Sequence, residues 1–330
     1  MFQQQSIQVN KMSRSNKVHW RKIWSILGIL TASLRFLTGN KTQFSLLEPS
    51  INFSYHSTQI VPIWLAILFA PILPTITVFI FCLLRIGHSP DSSPQPAQKP
   101  KSWDLKLRLK DLHHAWLGIG YAILFAFGIS NALEKFAGQP RPDLIARCQV
   151  DPQVYLNETI MLFRAGVVDS SVCRQTDSFI LDEGFASFPS GHSSVDFAGL
   201  TYLSLFLALR LSILNPCHHT YTGTQDLPIA QTTRKSKPLF RLLIVFLPLA
   251  IAISVSVTRV LDNRHHPSDV LAGSLLGIGS AWNAYWSVLL PYSRRGEVRQ
   301  QQGVVLGVVE SVGRGSEEGE SLPLARMRGV

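Results

Sequence analysis

The sequence predicts an all-α integral membrane protein with six transmembrane helices. Hydrophobic residues make up 46% of the 330-residue chain and charged residues only 16%, whereas a soluble domain typically contains about 25% charged residues. The apolar residues are also grouped into runs of roughly twenty, the length with which a helix crosses a hydrocarbon core of about 30 Å. Five such runs lie near residues 60–85, 113–133, 193–213, 238–257 and 270–290, and a weaker one near 23–38.

Each run is supported by its length and by its polar flanks. The weak run near 23–38 contains Arg35, whose long side chain can extend to the membrane interface. Any one run could be a buried helix of a soluble protein, but five or six together favour a membrane protein. The runs define a six-span domain over residues 21–291, between tails at 1–20 and 292–330. We expect both tails to be cytoplasmic, and the polar, basic first tail is unlike a cleavable signal peptide.

The formal net charge of +10 is distributed in a way that predicts the topology. With six spans, the basic residues cluster in the two tails and in the loops on the same side, which the positive-inside rule assigns to the cytoplasm. The opposite loops are richer in acidic residues: Asp143, Asp151, Glu158, Asp169, Asp177, Asp182 and Glu183. This pattern explains the basic balance without a nucleic-acid partner, and anionic lipid head groups of the inner leaflet are expected as a secondary partner.

Two further signals fall on the lumenal or extracellular side. Glycosylation triplets of the type Asn-x-Ser/Thr begin at Asn40, Asn52 and Asn157. Cys148 and Cys173 share one loop on this side, and because that compartment is oxidising we predict that they form a disulfide. These signals are common to proteins of the vacuole, the ER and Golgi, and the plasma membrane.

The predicted topology also brings three polar motifs to that face. The long loop 134–192 begins with the segment 138–142 (Gly-Gln-Pro-Arg-Pro) and ends with 189–192 (Pro-Ser-Gly-His), and the loop 258–269 carries the third motif. Together they offer two guanidiniums, two histidines, a Ser-Gly turn and a carboxylate. That set is sufficient to bind a phosphoryl group, attack it and protonate the group that leaves.

The second motif lies directly before an apolar run, so we expect it to open a helix. A helix N-terminus presents unpaired N–H groups and a partial positive charge, which together bind anions. Gly191 lets the backbone approach a ligand closely, Ser190 adds a hydroxyl donor, and His192 can serve as general acid for a leaving alkoxide. Taken alone, the tetrapeptide is more typical of a helix N-cap followed by an interfacial histidine.

The third motif consists of Thr258-Arg259 followed by His265 and Asp269. A proline between the last two fits the first position of the final helix, which would place Asp269 in the first turn, facing back toward His265. A carboxylate on one ring nitrogen would leave the other nitrogen as a nucleophile, and we expect His266 to point elsewhere. The alternative is an ordinary solvated turn, against which the spacing to Arg259 argues.

Arg141 of the first motif lies between two prolines, which stiffen the backbone and fix its direction. A guanidinium held in this way can bind phosphate through two parallel hydrogen bonds. Arg-Pro steps are also common in loops without function, so this motif gains its meaning from the other two.

In order, the three motifs resemble the signature of the type 2 phosphatidic acid phosphatases, the lipid phosphate phosphatase family of the vanadium haloperoxidase-like superfamily. That signature is Lys-x6-Arg-Pro, then Pro-Ser-Gly-His, then Ser-Arg-x5-His-x3-Asp. The second motif matches fully, and the third matches in spacing with Thr258 in place of the serine. The resemblance covers about residues 60–290 and implies the helical-bundle catalytic core of this family within the six spans.

The resemblance implies a role for each matched residue. His265 would attack phosphorus and carry the phosphoryl group, Asp269 would orient it, and His192 would protonate the leaving oxygen. The residues that would hold the phosphate oxygens and stabilise the transition-state charge are Arg141, Ser190, Gly191 and Arg259. No metal and no cofactor is expected, because the arginines supply positive charge and the sequence lacks the carboxylate cluster that Mg²⁺ needs.

One position departs from the family signature. Counting back from Arg141, the position of the family's lysine holds Glu134, and Lys135 follows one residue later. A shift of one residue turns a side chain by about 100° around a helix. We expect Lys135 to join the phosphate-binding residues through fraying or a shift of the helix end, and without such a change phosphate binding would be weakened. A glutamate close to the phosphate would repel it.

The leading hypothesis is a membrane phosphatase that hydrolyses phosphatidate, diacylglycerol pyrophosphate, lysophosphatidate or a similar lipid phosphate at the lumenal or extracellular face. Its partners would be a phospholipid phosphate and membrane lipid, and the sequence indicates no oligomeric state. Glu134 raises a non-enzyme rival, a homologue that binds phospholipid but is catalytically impaired. A third hypothesis is transfer of the phosphoryl or head group to another lipid. Haloperoxidase chemistry suits the apolar, multi-span body least.

Overall fold

The structure, a computed structural model, describes residues 38–84, 101–211, 213 and 239–290, together with Gly28. These segments form a helical bundle with a small ordered cap at one end. The weak predicted span near 23–38 and both predicted tails lie outside the described residues, apart from Gly28 and Thr38.

The bundle and the cap are built from short strands and from helices of very different lengths. In chain order they are β1 (Phe44–Ser45), α1 (Ile63–Ile67), α2 (Leu73–Leu83), α3 (Lys101–Ala137), α4 (Leu144–Cys148), α5 (Pro152–Tyr155), β2 (Val167–Val168), α6 (Ser178–Gly184), α7 (Gly191–Arg210), α8 (Leu239–Leu261) and α9 (Pro267–Ala284). Turns of π-helix lie at Leu68–Ile72, Thr159–Phe163 and Tyr285–Leu289, and 3₁₀ turns at Pro49–Ile51 and Ser170–Val172.

The five strong apolar runs all form helices, as the sequence predicts. The first run is continuous through α1, a π-helical turn and α2, because the turn accommodates Pro71, which has no N–H to donate to the preceding turn of an α-helix. The last run likewise continues from α9 through the turn Tyr285–Leu289. The helical bundle is therefore the architecture expected from the apolar pattern.

Three helical stretches in the described part of the chain are long and apolar enough to cross a membrane: Ile63–Leu83, Arg108–Ala137 and Leu239–Leu261. Large apolar side chains on the first and last of these are exposed, including Ile63, Trp64, Ile67, Ile76, Phe79, Phe240, Leu243, Phe246 and Leu247. Contiguous exposed apolar surface of this kind is typical of a helix that contacts lipid. Helices α7 and α9 are long enough but less apolar, so length and hydropathy support three of the six predicted spans.

The polar character of α7 follows from its central position. It packs against α3, α8, α9 and the first helical stretch, and most of its length is buried. Because other helices enclose it, α7 can carry polar side chains that a lipid-facing helix would not tolerate. These include Ser193, Ser194, Asp196, Thr201 and Ser204.

Two glycines bring the beginning of α9 against the beginning of α7. A Cβ on Gly273 would meet the backbone oxygen of Ser190, and a Cβ on Gly277 would meet that of Ser194. Only residues without a side chain allow two helix backbones to approach so closely. The packing of these helices therefore sets the separation between the second and the third polar motif.

The long loop between α3 and α7 folds into a cap over the end of the bundle. Strand β2 of this loop pairs antiparallel with β1, and the two share a small core of Phe44, Leu46, Ile51, Leu144, Cys148, Val168 and Phe185. Cys148 and Cys173 form a disulfide with their Cα atoms 4.6 Å apart, which is the pairing expected from the sequence.

Because α7 and α9 approach closely, we predict that a methyl group added at a glycine between them lowers the stability of the fold. Gly277→Ala would place its Cβ against the backbone of Ser194 and 2.7 Å from the Cβ of Phe197. We expect a loss of about 1–3 kcal/mol from this overpacking, visible as a lower midpoint of thermal unfolding of the detergent-purified protein. Gly279→Ala on the same helix is the control, because its Cβ would meet nothing within 4 Å. Equal midpoints for the two variants would contradict the described packing.

Candidate active site

The first and second polar motifs meet along the segment that leads into α7. The N–H of Ser187 donates to the carbonyl oxygen of Gln139 at 3.1 Å, and the N–H of Arg141 donates to that of Gly184 at 2.8 Å. The Arg141 side chain also donates from Nε to the carbonyl oxygen of Ala186 at 3.1 Å. These bonds hold Arg141 at the N-terminus of α7, so the predicted convergence of these two motifs is present.

Ser187 connects the second motif to the third. Its hydroxyl donates to Asp269 Oδ2 at 2.6 Å, and its carbonyl oxygen accepts from His265 Nδ1 at 2.8 Å. Three residues further on, the N–H of Ser190 donates to the carbonyl oxygen of Asp269 at 3.0 Å. Sequence analysis did not single out Ser187, and its place two residues ahead of Pro189 in the Pro-Ser-Gly-His motif is the one signal that could have identified it.

His265 is buried, with only 3% of its surface exposed, and its tautomer is defined by its surroundings. A carbonyl oxygen can only accept, so Nδ1 carries the proton that is donated to Ser187, and Nε2 retains its lone pair. Burial, followed by the nearby guanidinium of Arg141, holds the pKa of His265 well below its ordinary value of 6.5. The ring is therefore neutral near pH 7.

The prediction of a direct contact between Asp269 and His265 was wrong. In the structure Asp269 Oδ2 accepts from the N–H of His266 at 3.0 Å, in addition to its bond from Ser187. The physical reason is helix capping: Asp269 is the third residue of α9, and its carboxylate turns back to the residue that caps the helix. Its influence on His265 therefore passes through Ser187.

His266 was expected to point away from this cluster, but it is part of it. Its Nδ1 donates to Asp269 Oδ2 at 3.2 Å, and its Nε2 donates to the carbonyl oxygen of Ser50 at 3.3 Å. Because both ring nitrogens face acceptors, the ring binds best with both protons. The hydrogen bond to Asp269 accordingly raises the pKa of His266. The adjacent histidines thus have opposite preferences, neutral for His265 and charged for His266.

The second motif forms the helix N-terminus that the sequence predicts. Helix α7 begins at Gly191, and the hydroxyl of the N-cap residue Ser190 accepts from the N–H of Ser193 at 3.4 Å. His192 lies in the first turn, and its buried Nε2 has no hydrogen-bond partner among the described residues. It is close enough to His265 to contribute to the lowered pKa of that ring.

The predicted phosphate ligand Arg259 is fully buried and already has several protein partners. Its guanidinium donates to Gln59 Oε1 at 2.7 Å, to the carbonyl oxygen of Val61 at 2.8 Å and to Asp262 Oδ2 at 3.1 Å. A buried charge needs such partners to offset its loss of hydration. Arg259 therefore ties α8 to the segment ahead of α1 and adds positive charge behind the site.

The one-residue departure in the first motif is retained in the structure. Helix α3 runs without interruption to Ala137, and Glu134 Oε1 lies 3.0 Å from the position that a Cβ on Gly191 would take. Lys135 instead packs against Gly39, with Cδ 3.4 Å from the corresponding Cβ position there. The expectation that Lys135 reaches the phosphate motifs is not met, because the helix neither frays nor shifts.

Three further charged residues, to which sequence analysis assigned no role in the site, lie around it. Glu183 lies beside Arg141, Arg147 and Arg264. Burial alone would raise the pKa of Glu183, but the guanidiniums outweigh burial and lower it. Arg264 stands directly before His265 in the sequence, which is a weak signal, and nothing in the sequence marks Glu183 or Arg147 as part of the site.

The sequence was also compared with protein families, curated proteins and solved structures. The PAP2 superfamily profile matches residues 115–291. Lipid phosphate phosphatase 2 of Arabidopsis thaliana is 29% identical over 70% of this chain and 63% of its own length. Diacylglycerol pyrophosphate phosphatase 1 of Saccharomyces cerevisiae is 32% identical over 54% of this chain and 53% of its own. This chain thus matches about half to two thirds of the length of these relatives. No solved structure has significant similarity to it.

The matched segment covers more than half of the chain and contains all three motifs in the family order. The structure joins those motifs at one end of a helical bundle, through Ser187 and the N-terminus of α7. On both grounds, the chain belongs to the PAP2 superfamily.

Proposed function

We propose that this integral membrane protein is a metal-independent lipid phosphate phosphatase. The observation that carries the proposal is the buried, neutral His265, whose Nδ1 is occupied by Ser187 and whose Nε2 keeps a lone pair close to Arg141 and His192. Relatives named lipid phosphate phosphatase and diacylglycerol pyrophosphate phosphatase support the substrate class. Substrates would include phosphatidate, lysophosphatidate and diacylglycerol pyrophosphate.

The chemistry would proceed in two displacements at phosphorus. His265 Nε2 forms a bond to phosphorus while the bond to the lipid oxygen breaks, and His192 donates a proton to that oxygen. Burial and the guanidiniums of Arg259 and Arg141 lower the pKa of His192 to about 3 in the free site, so His192 takes up this proton when the anionic substrate binds beside it. Water then attacks the phosphohistidine, His192 accepts its proton, and inorganic phosphate leaves. Arg141 and the N–H groups at the start of α7 stabilise the charge on the phosphoryl oxygens in both steps.

We place the site at the lumenal or extracellular face of a six-span domain covering residues 21–291, with cytoplasmic tails. Three features of the cap support that side. The residues Asn40, Asn52 and Asn157 of the glycosylation triplets are exposed, Cys148 and Cys173 form a disulfide, and the cap is rich in acidic residues. The exposed apolar helices would give a lipid substrate lateral access from the membrane.

The opposite preferences of the adjacent histidines predict opposite effects on acid stability. Because the folded state holds His265 neutral, its contribution to stability is lost as pH falls below the unfolded pKa of about 6.5. His265→Gln should therefore lower the dependence of the unfolding midpoint on pH between 7 and 5. His266 contributes stability below that pH and loses it as pH rises, so His266→Gln should cost more at pH 5.5 than at pH 8. Parallel pH curves for the two variants would contradict these assignments.

The phosphatase proposal predicts phosphate release that depends on His265. The purified protein, assayed in EDTA with phosphatidate and with diacylglycerol pyrophosphate, should release inorganic phosphate. His265→Ala should reduce the rate by at least about 10³-fold, since it removes the nucleophile. His56→Ala is the matched control, because His56 is exposed, and its rate should be unchanged. Equal rates for His265→Ala and wild type would refute the mechanism. A loss of mass on glycosidase treatment would test whether the cap lies on the lumenal or extracellular side, where glycosylation takes place.

One observation favours a second candidate function, a phospholipid-binding homologue with impaired catalysis. Glu134 places a carboxylate oxygen beside Gly191, at the helix terminus where the substrate phosphate would bind. Two anions near one another in a partly dehydrated site repel strongly. Glu134 would then reduce the affinity for phosphate while the apolar surface still bound the lipid.

Glu134→Lys distinguishes the two candidates. If the natural site is impaired, exchanging a negative for a positive charge beside the phosphate should raise kcat/KM for phosphatidate at least about 10-fold. If the site already hydrolyses lipid phosphates efficiently, the rate should change less than about threefold or fall. Glu158→Lys, with the same charge change at an exposed position of the cap, is the control for a general effect of net charge.

A further inference from the structure

One carboxylate oxygen lies among three guanidiniums, two from the segment 141–147 and one from the turn ahead of α9. Glu183 is in the last turn of α6, and its Oε2 lies 3.1 Å from Arg147 Nη1 and 3.4 Å from Arg264 Nη1. Arg141 Nη1 is at 3.9 Å from the same oxygen. Arg141 belongs to the first motif, and Arg264 precedes the nucleophile His265. Glu183 therefore lies where the phosphate-binding segment and the nucleophile segment come together.

Arg147 anchors this arrangement. Its side chain is fully buried, and Nε donates to Asp143 Oδ1 at 2.8 Å. The guanidinium also lies over the ring of Tyr55, 4.6 Å from the ring centroid. These contacts leave Arg147 little freedom, so its hydrogen bond to Glu183 holds that carboxylate in a defined place.

From this anchor Glu183 reaches Arg264. The Arg264 side chain is 6% exposed, and Nη2 donates to the carbonyl oxygen of His56 at 3.1 Å. The backbone N–H groups of Arg264 and His265 both donate to the carbonyl oxygen of Arg259. The turn that carries His265 is therefore held from its backbone side by Arg259 and from its side-chain side by Glu183.

The contact with Arg141 is of a different kind. At 3.9 Å the pair is electrostatically close but too long for a hydrogen bond. Because Nε donates to Ala186, the orientation of the guanidinium is set from its other edge. Glu183 thus attracts the Nη1 side of Arg141 without forming a hydrogen bond to it, which leaves N–H groups there for phosphate oxygens.

We propose that Glu183 is a positioning residue, which holds Arg141 and the His265 turn at the separation that phosphate binding and attack require. The inference rests on the phosphatase function proposed above. A purely electrostatic role of Glu183 predicts the opposite change in phosphate affinity when its charge is removed. A negative charge beside an anion site repels the anion, so neutralising Glu183 would strengthen phosphate binding if charge were its whole effect. Neutralising a residue that positions Arg141 would instead weaken it.

The test uses the full-length purified protein and inorganic phosphate as the probe, with affinity measured by titration calorimetry and kcat and KM measured with phosphatidate. Glu183→Gln keeps the shape of the side chain and removes its charge, and Glu183→Asp keeps the charge and shortens the reach. Both should weaken phosphate binding about 10-fold and lower kcat/KM about 10²-fold, the scale expected for a misplacement near 1 Å. Asp182→Asn is the matched control, since the neighbouring carboxylate pairs at the surface with Lys41 at 2.7 Å, and should change neither quantity.

Phosphate binding by Glu183→Gln that equals or exceeds that of wild type overturns the proposal. If this variant fails to fold, because Arg147 loses a buried partner, Arg264→Lys provides the second route, since it leaves the pair of Glu183 and Arg147 intact and keeps the positive charge. The ammonium cannot bridge Glu183 and the carbonyl oxygen of His56 as the guanidinium does, so this variant should weaken phosphate binding and lower kcat, and unchanged binding and kcat would overturn the proposal.

The outcomes also separate this proposal from the phosphatase function. A wild-type protein that binds phosphate without releasing it from lipids would remove the phosphatase and leave the positioning role measurable by affinity alone. If wild type is active and Glu183→Gln is equally active, the positioning role is contradicted and the phosphatase function is supported. Wild-type protein that neither binds nor releases phosphate would overturn both.

Discussion

The site depends on the two hydrogen bonds of Ser187. Its carbonyl oxygen accepts from His265 and its hydroxyl donates to Asp269, so a single residue sets the tautomer of one side chain and the position of another. Because all three groups are buried, each bond is made in a medium where an unpaired polar atom is costly. The arrangement therefore has little room to rearrange, and the second and third motifs keep a fixed relation.

Buried charge imposes the next constraint. Arg141, Arg147, Arg259 and Arg264 lie within one end of the bundle, and each would repel the others without carboxylates between them. Asp143 pairs with Arg147, Asp262 with Arg259, and Glu183 is shared. This network leaves net positive charge near His265, which favours a phosphoryl group and keeps the imidazole neutral. Glu134 opposes that tendency, because it places a carboxylate beside Gly191 at the helix terminus.

Much of this arrangement was predictable because it follows from local patterns. Long apolar runs form helices whatever their neighbours, so the bundle, the start of α7 at Gly191 and the start of α9 at Pro267 were all expected. The sequence also paired Cys148 with Cys173, because both lie in one loop of an oxidising compartment. The resemblance to a known signature identified His192, His265 and Arg141 without any coordinates.

The rest was decided by tertiary structure, because it concerns which atom of a side chain meets which partner. Helix capping turned Asp269 toward His266, and the backbone of Ser187 took the place next to His265 that the sequence assigned to a carboxylate. Glu183 became a shared partner only when the fold brought it to Arg141, Arg147 and Arg264, all of which lie at least 36 residues away in the sequence. By itself the sequence determined the helices, the motifs and the family of this protein. The hydrogen bonds that orient the side chains of the candidate site arose from close packing, which brings together residues that no local pattern relates.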